Sequence, residues 1–350
     1  MGTIRDYIRW RGDLEFSRDG FNTIDNLILS VVSYVEMDDL FTKKSEPLSI
    51  RDICTSFFRK KYDEKKYRET SVLHDAPLIL RDIADTPRFR DIRVRNYLSL
   101  NDTARVLQFA AMEFVLPDGT SYVAYRGTDD TLVGWKEDFL ISIKETEAEK
   151  EAVAYLNSIA EGCDRPLRLG GHSKGGHLAV YAAAECKSEY RDRIVNIYSN
   201  DGPGFTKEVA EGDAIERILP RLVSIIPEES IVGLLMNPVT TPIIVKSMAK
   251  YAYQHNPASW CLEGTAFETV KSTGKASAIA TRLIKENIGK MTPEELDIFV
   301  EDLFAVFEAT GAKTVTGLKK GGLKSLRAMA EKLREEKALL KKAEAEAVTE

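Results

Sequence analysis

The chain has 350 residues, of which 43% are hydrophobic and 30% charged, and a formal net charge of -6. That is enough apolar material for one large α/β domain with extensions or for two modest domains, and the mildly acidic balance leaves no electrostatic footprint for nucleic acid. Four cysteines, at positions 54, 163, 186 and 261, form no C-x-x-C pair and have no closely spaced histidines, so reduced thiols in a cytoplasmic protein are expected rather than disulfides or a metal centre.

Charges interrupt the opening M-G-T-I-R-D-Y-I-R-W, which therefore does not read as a signal peptide. Asp6 stands where N-myristoylation wants Ser or Thr. From Phe21 to Val35, the apolar residues Ile24, Leu27, Ile28, Val31, Val32 and Val35 recur at helical spacing and predict an amphipathic helix packed on a sheet. Residues 43–70 alternate basic and acidic side chains and predict solvated helices of an N-terminal cap, with Ser49 placed to cap one of them. From Arg93 the pattern changes to strands: R-V-L-Q-F-A-A-M-E-F-V-L, the turn Pro117-Asp118-Gly119-Thr120, then S-Y-V-A-Y-R, a hairpin signal. The second strand runs into Arg126-Gly127-Thr128-Asp129-Asp130. The two acids there have no third ligand nearby and read as a solvated turn. Trp135 either covers a substrate entrance or belongs to the core.

Lys144 to Cys163 predicts a helix, with Ala148, Val153, Leu156 and Ile159 on one face. The short apolar run after it leads into Gly171-His172-Ser173-Lys174-Gly175, and a small-residue helical run follows. G-x-S-x-G between a strand and a helix is the layout of a nucleophile elbow, in which a strained turn holds a serine at its apex. The Lys174 N–H, at the start of the helix, is left available to a developing oxyanion. Further strands are read in I-V-N-I-Y-S-N-D-G-P-G-F, in R-L-V-S-I-I ending at Pro227, and in P-I-I-V-K-S-M; Tyr253-Gln254-His255-Asn256-Pro257 lies beyond the last. The longest apolar-looking region, Ile225 to Val245, contains Pro227, Glu228, Glu229 and Asn237 and is no membrane span. The C-terminal hundred residues read as helical: a capping box at Thr292-Pro293-Glu294-Glu295, an apolar stripe from Leu296 to Phe307, and a thin seam through Leu326, Met329, Leu333 and Leu340. That end is either a docked helix or a tail that pairs with a partner, including a second copy of the chain.

Alternating strands and helices imply a mostly parallel sheet with helices on both faces, and catalytic groups on such sheets collect at the carboxyl ends of strands. Ser173, Asp201 and His255 each follow a predicted strand, in the order nucleophile, acid, base. Ser173 is the candidate nucleophile and His255 the candidate base, with His172, His177 and His74 read as structural. Thr128 can supply a backbone N–H and its hydroxyl to an oxyanion, with the Lys174 N–H as second donor.

The segment A-Y-R-G-T-D-D-T-L-V-G-W-K-E-D-F resembles the oxyanion segment of class 3 lipases, G-H-S-K-G-G resembles their elbow, and Q-H-N-P-A-S-W resembles their histidine segment. Together with N-D-G-P-G-F, S-I-I-P-E-E-S-I-V-G-L-L and the opening W-R-G-D-L-E-F, the chain resembles the bacterial Mbeg1-like family of the α/β-hydrolase superfamily, formerly a domain of unknown function, over about residues 3–265. The resemblance implies an α/β-hydrolase fold and a reaction type, without a substrate. It departs from the lipase pattern at one place: Ser230 falls where class 3 lipases carry the acid. Asp201, one strand earlier, can serve instead, and Glu228 or Glu229 stays open as the alternative.

The sequence thus predicts a helical cap over residues 1–92, an α/β-hydrolase core over 93–265 and a helical extension over 266–350. The expected activity is cleavage of a carboxylic ester or thioester through an acyl-enzyme, with no cofactor and no metal. Ile231, Val232, Leu234, Leu235 and Met236 either hold an acyl chain or belong to the core. Acyl transfer to an acceptor other than water, amide cleavage, and a non-catalytic binding protein on the same fold are the alternatives.

Overall fold

A computed structural model describes residues 2–282, apart from 42–45, 61, 66, 68–72, 130–131, 142, 275–276 and 280, together with 295, 298 and 300. The expected cap at Thr292 and the seam from Leu326 to Leu340 lie outside the described residues, as does the side chain of Trp135.

The organising element is an eight-stranded sheet whose spatial order follows the chain: β1 (Leu48–Ser49), β2 (Arg93–Asp102), β3 (Leu107–Val115), β4 (Ser121–Tyr125), β5 (Leu167–His172), β6 (Ile194–Asn200), β7 (Leu222–Pro227) and β8 (Ile243–Val245). Pairing is antiparallel from β1 to β4 and parallel from β4 to β8. The Asp118-Gly119 turn joins β3 to β4, with Gly119 at a φ of 84°. Four parallel pairings need crossovers, and two of the crossovers are long helices, α6 (Glu147–Glu161) before β5 and α7 (Lys174–Glu185) after it.

Strand alternation sorts the core into two layers. Tyr122 and Ala124 point to one side, where they meet α1 (Ile4–Arg11), α2 (Thr23–Val32), α3 (Ile50–Lys60) and α4 (Ala76–Ala84). Val123 and Tyr125 point to the other, into the layer formed by α6 and α7. Hence β3 to β6 are largely buried on both faces, which is why they read as predominantly apolar rather than alternating stretches.

The N-terminal helices are fixed to the sheet by polar bonds as well as by apolar burial. Asn22 caps α2, accepting from the N–H groups of Ile24 and Asp25. One turn on, Asn26 bonds Asn200 at 3.0 Å and accepts from the Tyr122 hydroxyl at 2.7 Å, all three side chains being buried. Asp25 and Arg88, neither exposed, form a bidentate pair at 2.5 and 2.8 Å, and the same guanidinium donates to the carbonyls of Leu14, Asp19 and Gly20. Every polar group of that buried set has a partner, which is the condition for tolerating it in a core. Ser49 caps α3, accepting from the Asp52 N–H and donating to its carboxylate.

Candidate active site

Three loops at the carboxyl ends of β5, β6 and β8 bring Ser173, Asp201 and His255 together. Ser173 follows β5 with φ 57° and ψ −132°, a backbone conformation that costs a residue with a Cβ of order 1–3 kcal/mol. The turn is tight because its flanking residues lack side chains. A Cβ on Gly171 would sit 2.3 Å from the Gly175 carbonyl, and one on Gly175 would sit 2.1 Å from the Tyr125 carbonyl, all backbone that cannot move aside. Gly175→Ala is therefore expected to destabilise the fold by more than about 3 kcal/mol, seen as a lower Tm or loss of soluble protein; an unchanged Tm would mean that the elbow and β4 are not in close contact.

From the elbow the Ser173 Oγ lies 3.0 Å from His255 Nε2, and His255 Nδ1 lies 2.7 Å from Asp201 Oδ2. Asp201 is fully buried and itself has a φ of 53°. Its other oxygen accepts from the Ser230 hydroxyl at 2.5 Å and from the Gly233 N–H at 3.1 Å. Ser230 is thus a hydrogen-bond donor to the carboxylate that follows the neighbouring strand. The Glu229 carboxylate accepts from the Ser277 N–H at 3.2 Å, and its own N–H donates to Gln254; the carboxylate at His255 Nδ1 belongs to Asp201.

His172 does more than fill the core. Its ring packs on that of His255, with centroids 4.5 Å apart, and its Nε2–H donates to the His255 carbonyl at 2.7 Å. Burial and the neighbouring imidazole push its pKa far below the usual range, so Nδ1 is unprotonated and accepts from the Tyr34 hydroxyl at 3.1 Å. Adjacency to Ser173 in sequence carries no hint of this contact, because it depends on where the β8 loop returns. His177 is buried between Glu149, 2.9 Å from Nε2, and the Gly204 carbonyl, 3.0 Å from Nδ1. His74 lies at the surface beside Asp75.

Next to the elbow, β4 delivers Arg126-Gly127-Thr128. A Cβ on Gly127 would strike the Tyr34 hydroxyl and the His172 carbonyl, which fixes how closely this segment approaches the elbow. Thr128 is buried, and its hydroxyl lies 2.6 Å from both oxygens of Asp138. A hydroxyl has one proton, and here the carboxylate takes it. In this arrangement the hydroxyl is engaged with Asp138, while the backbone N–H of Thr128 is the other donor the sequence offers.

Burial pushes the Asp138 carboxyl from 3.8 up to about 6, against the opposing pull of Lys174 and of the Thr128 bond. Between those two values the folded protein holds a proton that the unfolded chain has lost. The carboxyl's favourable contribution is therefore complete below pH 3.8 and is lost as pH rises through about 6. Asp138→Asn, which cannot ionise, is expected to gain Tm relative to the parent protein as pH rises from about 4 to about 7.5. A Tm difference that stays flat over that window would show the carboxylate to be solvated.

The apolar run from Ile231 to Met236 forms a half-buried turn against the Asp201 loop, with the Gly204 N–H donating to the Leu235 carbonyl. Met248, Tyr251 and Tyr253, on the segment leading to His255, are all exposed, Tyr253 by 82%. Among the described residues no group of three His, Cys, Asp or Glu side chains is arranged to hold a metal, and no helix is long and apolar enough to cross a membrane.

A sheet that is parallel from β4 onward, with a serine elbow between β5 and α7, defines an α/β-hydrolase fold. The chain belongs to the Mbeg1-like family, whose profile matches residues 83–305. No curated protein matches it. Among solved structures it is similar to a fungal lipase–inhibitor complex described as a model for interfacial activation, at 13% identity and a TM-score of 0.39, over 71% of this chain and 89% of the lipase. M37 lipase gives 15% identity and a TM-score of 0.39 over 62% of this chain and 71% of the other. The native Rhizomucor miehei lipase propeptide complex gives 13% and 0.39 over 77% and 76%.

Proposed function

We propose that this protein is a serine hydrolase of carboxylic esters or thioesters, with Ser173 as nucleophile, His255 as general base and acid, and Asp201 as the acid that orients the histidine. The observation that carries the reading is the unbroken chain of hydrogen bonds from Ser173 Oγ through both nitrogens of His255 to Asp201, at 3.0 and 2.7 Å. The Asp201 carboxylate accepts a hydrogen bond from Nδ1–H and so turns the unprotonated Nε2 toward the serine. As Oγ attacks the acyl carbonyl, its proton passes to Nε2. The tetrahedral oxyanion is held by the N–H groups of Lys174 and Thr128, the former at the amino end of α7 where the helix leaves such groups without internal partners. The imidazolium then protonates the departing alcohol or thiol, and water repeats the sequence on the acyl-enzyme to release the acid.

The half-buried turn at Ile231–Met236, whose Gly233 N–H bonds Asp201, and the exposed Met248, Tyr251 and Tyr253 on the segment that leads to His255 offer apolar surface on the two stretches that carry the site, which supports an acyl chain or other lipid-like substrate. Four free cysteines fit action in a reducing compartment, and we place it in the cytoplasm. The test is labelling of Ser173 by a fluorophosphonate probe together with turnover of short-chain p-nitrophenyl esters. Folded protein that does neither would instead be a non-catalytic binding protein on this fold. Turnover only with an added alcohol or amine acceptor would make it an acyltransferase.

A further inference from the structure

The residue after the nucleophile contributes more than a backbone N–H. Lys174 is 1% exposed, and its three ammonium protons are all received inside the protein: by the Gln108 carbonyl, by Gln108 Oε1 and by Glu137 Oε2, each at 2.9 Å. Glu137 is unexposed and is shared further. The same Oε2 accepts from the Gln108 N–H of β3 at 3.1 Å, while Oε1 accepts from the Ala148 N–H in the first turn of α6 at 3.1 Å. Glu137 and Asp138 are neighbours on α5 (Leu132–Leu140), and Asp138 holds the Thr128 hydroxyl while lying 3.8 Å from the Lys174 ammonium. The two segments that supply the oxyanion donors, the start of α7 and the stretch after β4, are thus joined through one buried ion pair.

We propose that Lys174 and Glu137 are positioning residues that hold the two halves of the oxyanion hole at a fixed separation, Lys174 offering one donor from its backbone and securing the other, through α5 and Asp138, with its side chain. This rests on the serine-hydrolase reading of Ser173. A buried ion pair is poor value for stability alone, since apolar residues of similar volume commonly do as well or better. What it provides is direction. An ammonium with three filled donors and a carboxylate with both oxygens engaged leave α5 a single seat, and an oxyanion hole is worth its full effect only when its donors are already in place.

The experiment compares the parent protein with Lys174→Met and with the neutral pair Lys174→Met/Glu137→Gln. It measures Tm, kcat per site counted by fluorophosphonate titration, and KM for a p-nitrophenyl ester. Lys174→Met alone strands the Glu137 charge and is expected to lower Tm. The double variant removes both charges and is expected to recover most of that loss. If the pair positions the donors, kcat stays about 10- to 100-fold below the parent in both variants while KM moves by less than about twofold. If the pair is merely structural, kcat returns together with Tm in the double variant, or stays at the parent value in the single one, and the proposal is overturned. A parent protein with neither labelling nor turnover would instead overturn the hydrolase reading itself, and this inference with it.

Discussion

Ser173→Ala is expected to abolish fluorophosphonate labelling and to reduce kcat for p-nitrophenyl esters by about 10⁴- to 10⁶-fold, leaving only what the oxyanion donors and binding supply. The size of the effect follows from Ser173 Oγ lying 3.0 Å from His255 Nε2; among the described residues no other hydroxyl bonds that nitrogen and could take over the attack. Loss of activity through unfolding would be a trivial result, and the backbone provides a control against it. Ser173 is held at φ 57°. Ser173→Gly relieves that conformation and is expected to be as inactive as the alanine variant while gaining about 1 kcal/mol in stability. Measured together, the two variants separate the chemical loss from the conformational one. A Ser173→Ala protein that still turns over ester within tenfold of the parent would sink the assignment of the nucleophile.

Asp201→Asn is expected to cost about 10³- to 10⁴-fold in kcat, because an amide donates where the carboxylate accepted and turns the imidazole to the tautomer whose Nε2 carries the proton. KM for a small ester should change little, since Asp201 is buried behind the histidine and touches no substrate. Glu229→Gln is the matched comparison. Its carboxylate faces the Ser277 N–H, and the substitution keeps an acceptor oxygen for that bond, so activity is expected to stay within about threefold. If Glu229→Gln is the inactive variant and Asp201→Asn the active one, the acid is misassigned. Ser230 enters this comparison as a second donor to Asp201, one that helps keep the other carboxylate oxygen pointed at His255.

Those elements whose pattern is set by burial on both faces were legible from the residues alone. β3 and β4 with their Asp-Gly turn, β5 and the elbow, β6, β7 and the helix of 147–161 all lie within the stretches where apolar runs or periodicity place them. Less legible were β1, only two residues long, and β2, which carries Arg93, Arg95 and Asp102, shifts register between Arg95 and Leu98 and is half-buried along most of its length, so no clean alternation marks it. The chain order serine, acid, histidine identifies the loops that meet, yet the choice between Asp201 and Glu229 depends on side-chain direction at the end of two adjacent strands, a matter of φ and of local hydrogen bonds. The same holds for the Thr128 hydroxyl. Nothing in R-G-T-D-D reveals that Asp138, ten residues on, returns on a helix to accept its hydrogen bond. The Lys174 cluster escapes notice for another reason: a lysine beside a serine reads as surface, and only the positions of Gln108 and Glu137 in space show why it is buried.

Because each strand of the sheet lies beside its neighbour in the chain, every pairing in it joins consecutive strands, and the sheet can be laid down from one edge in the order in which the ribosome releases it. The amino end is the exception. Gly2 pairs with Leu262 through two backbone hydrogen bonds, and Asn26 needs Asn200. The first helix to be synthesised can seat early against α4, where Arg5 pairs with Asp82, while the backbone pairing of Gly2 just before it waits until Leu262 has been made.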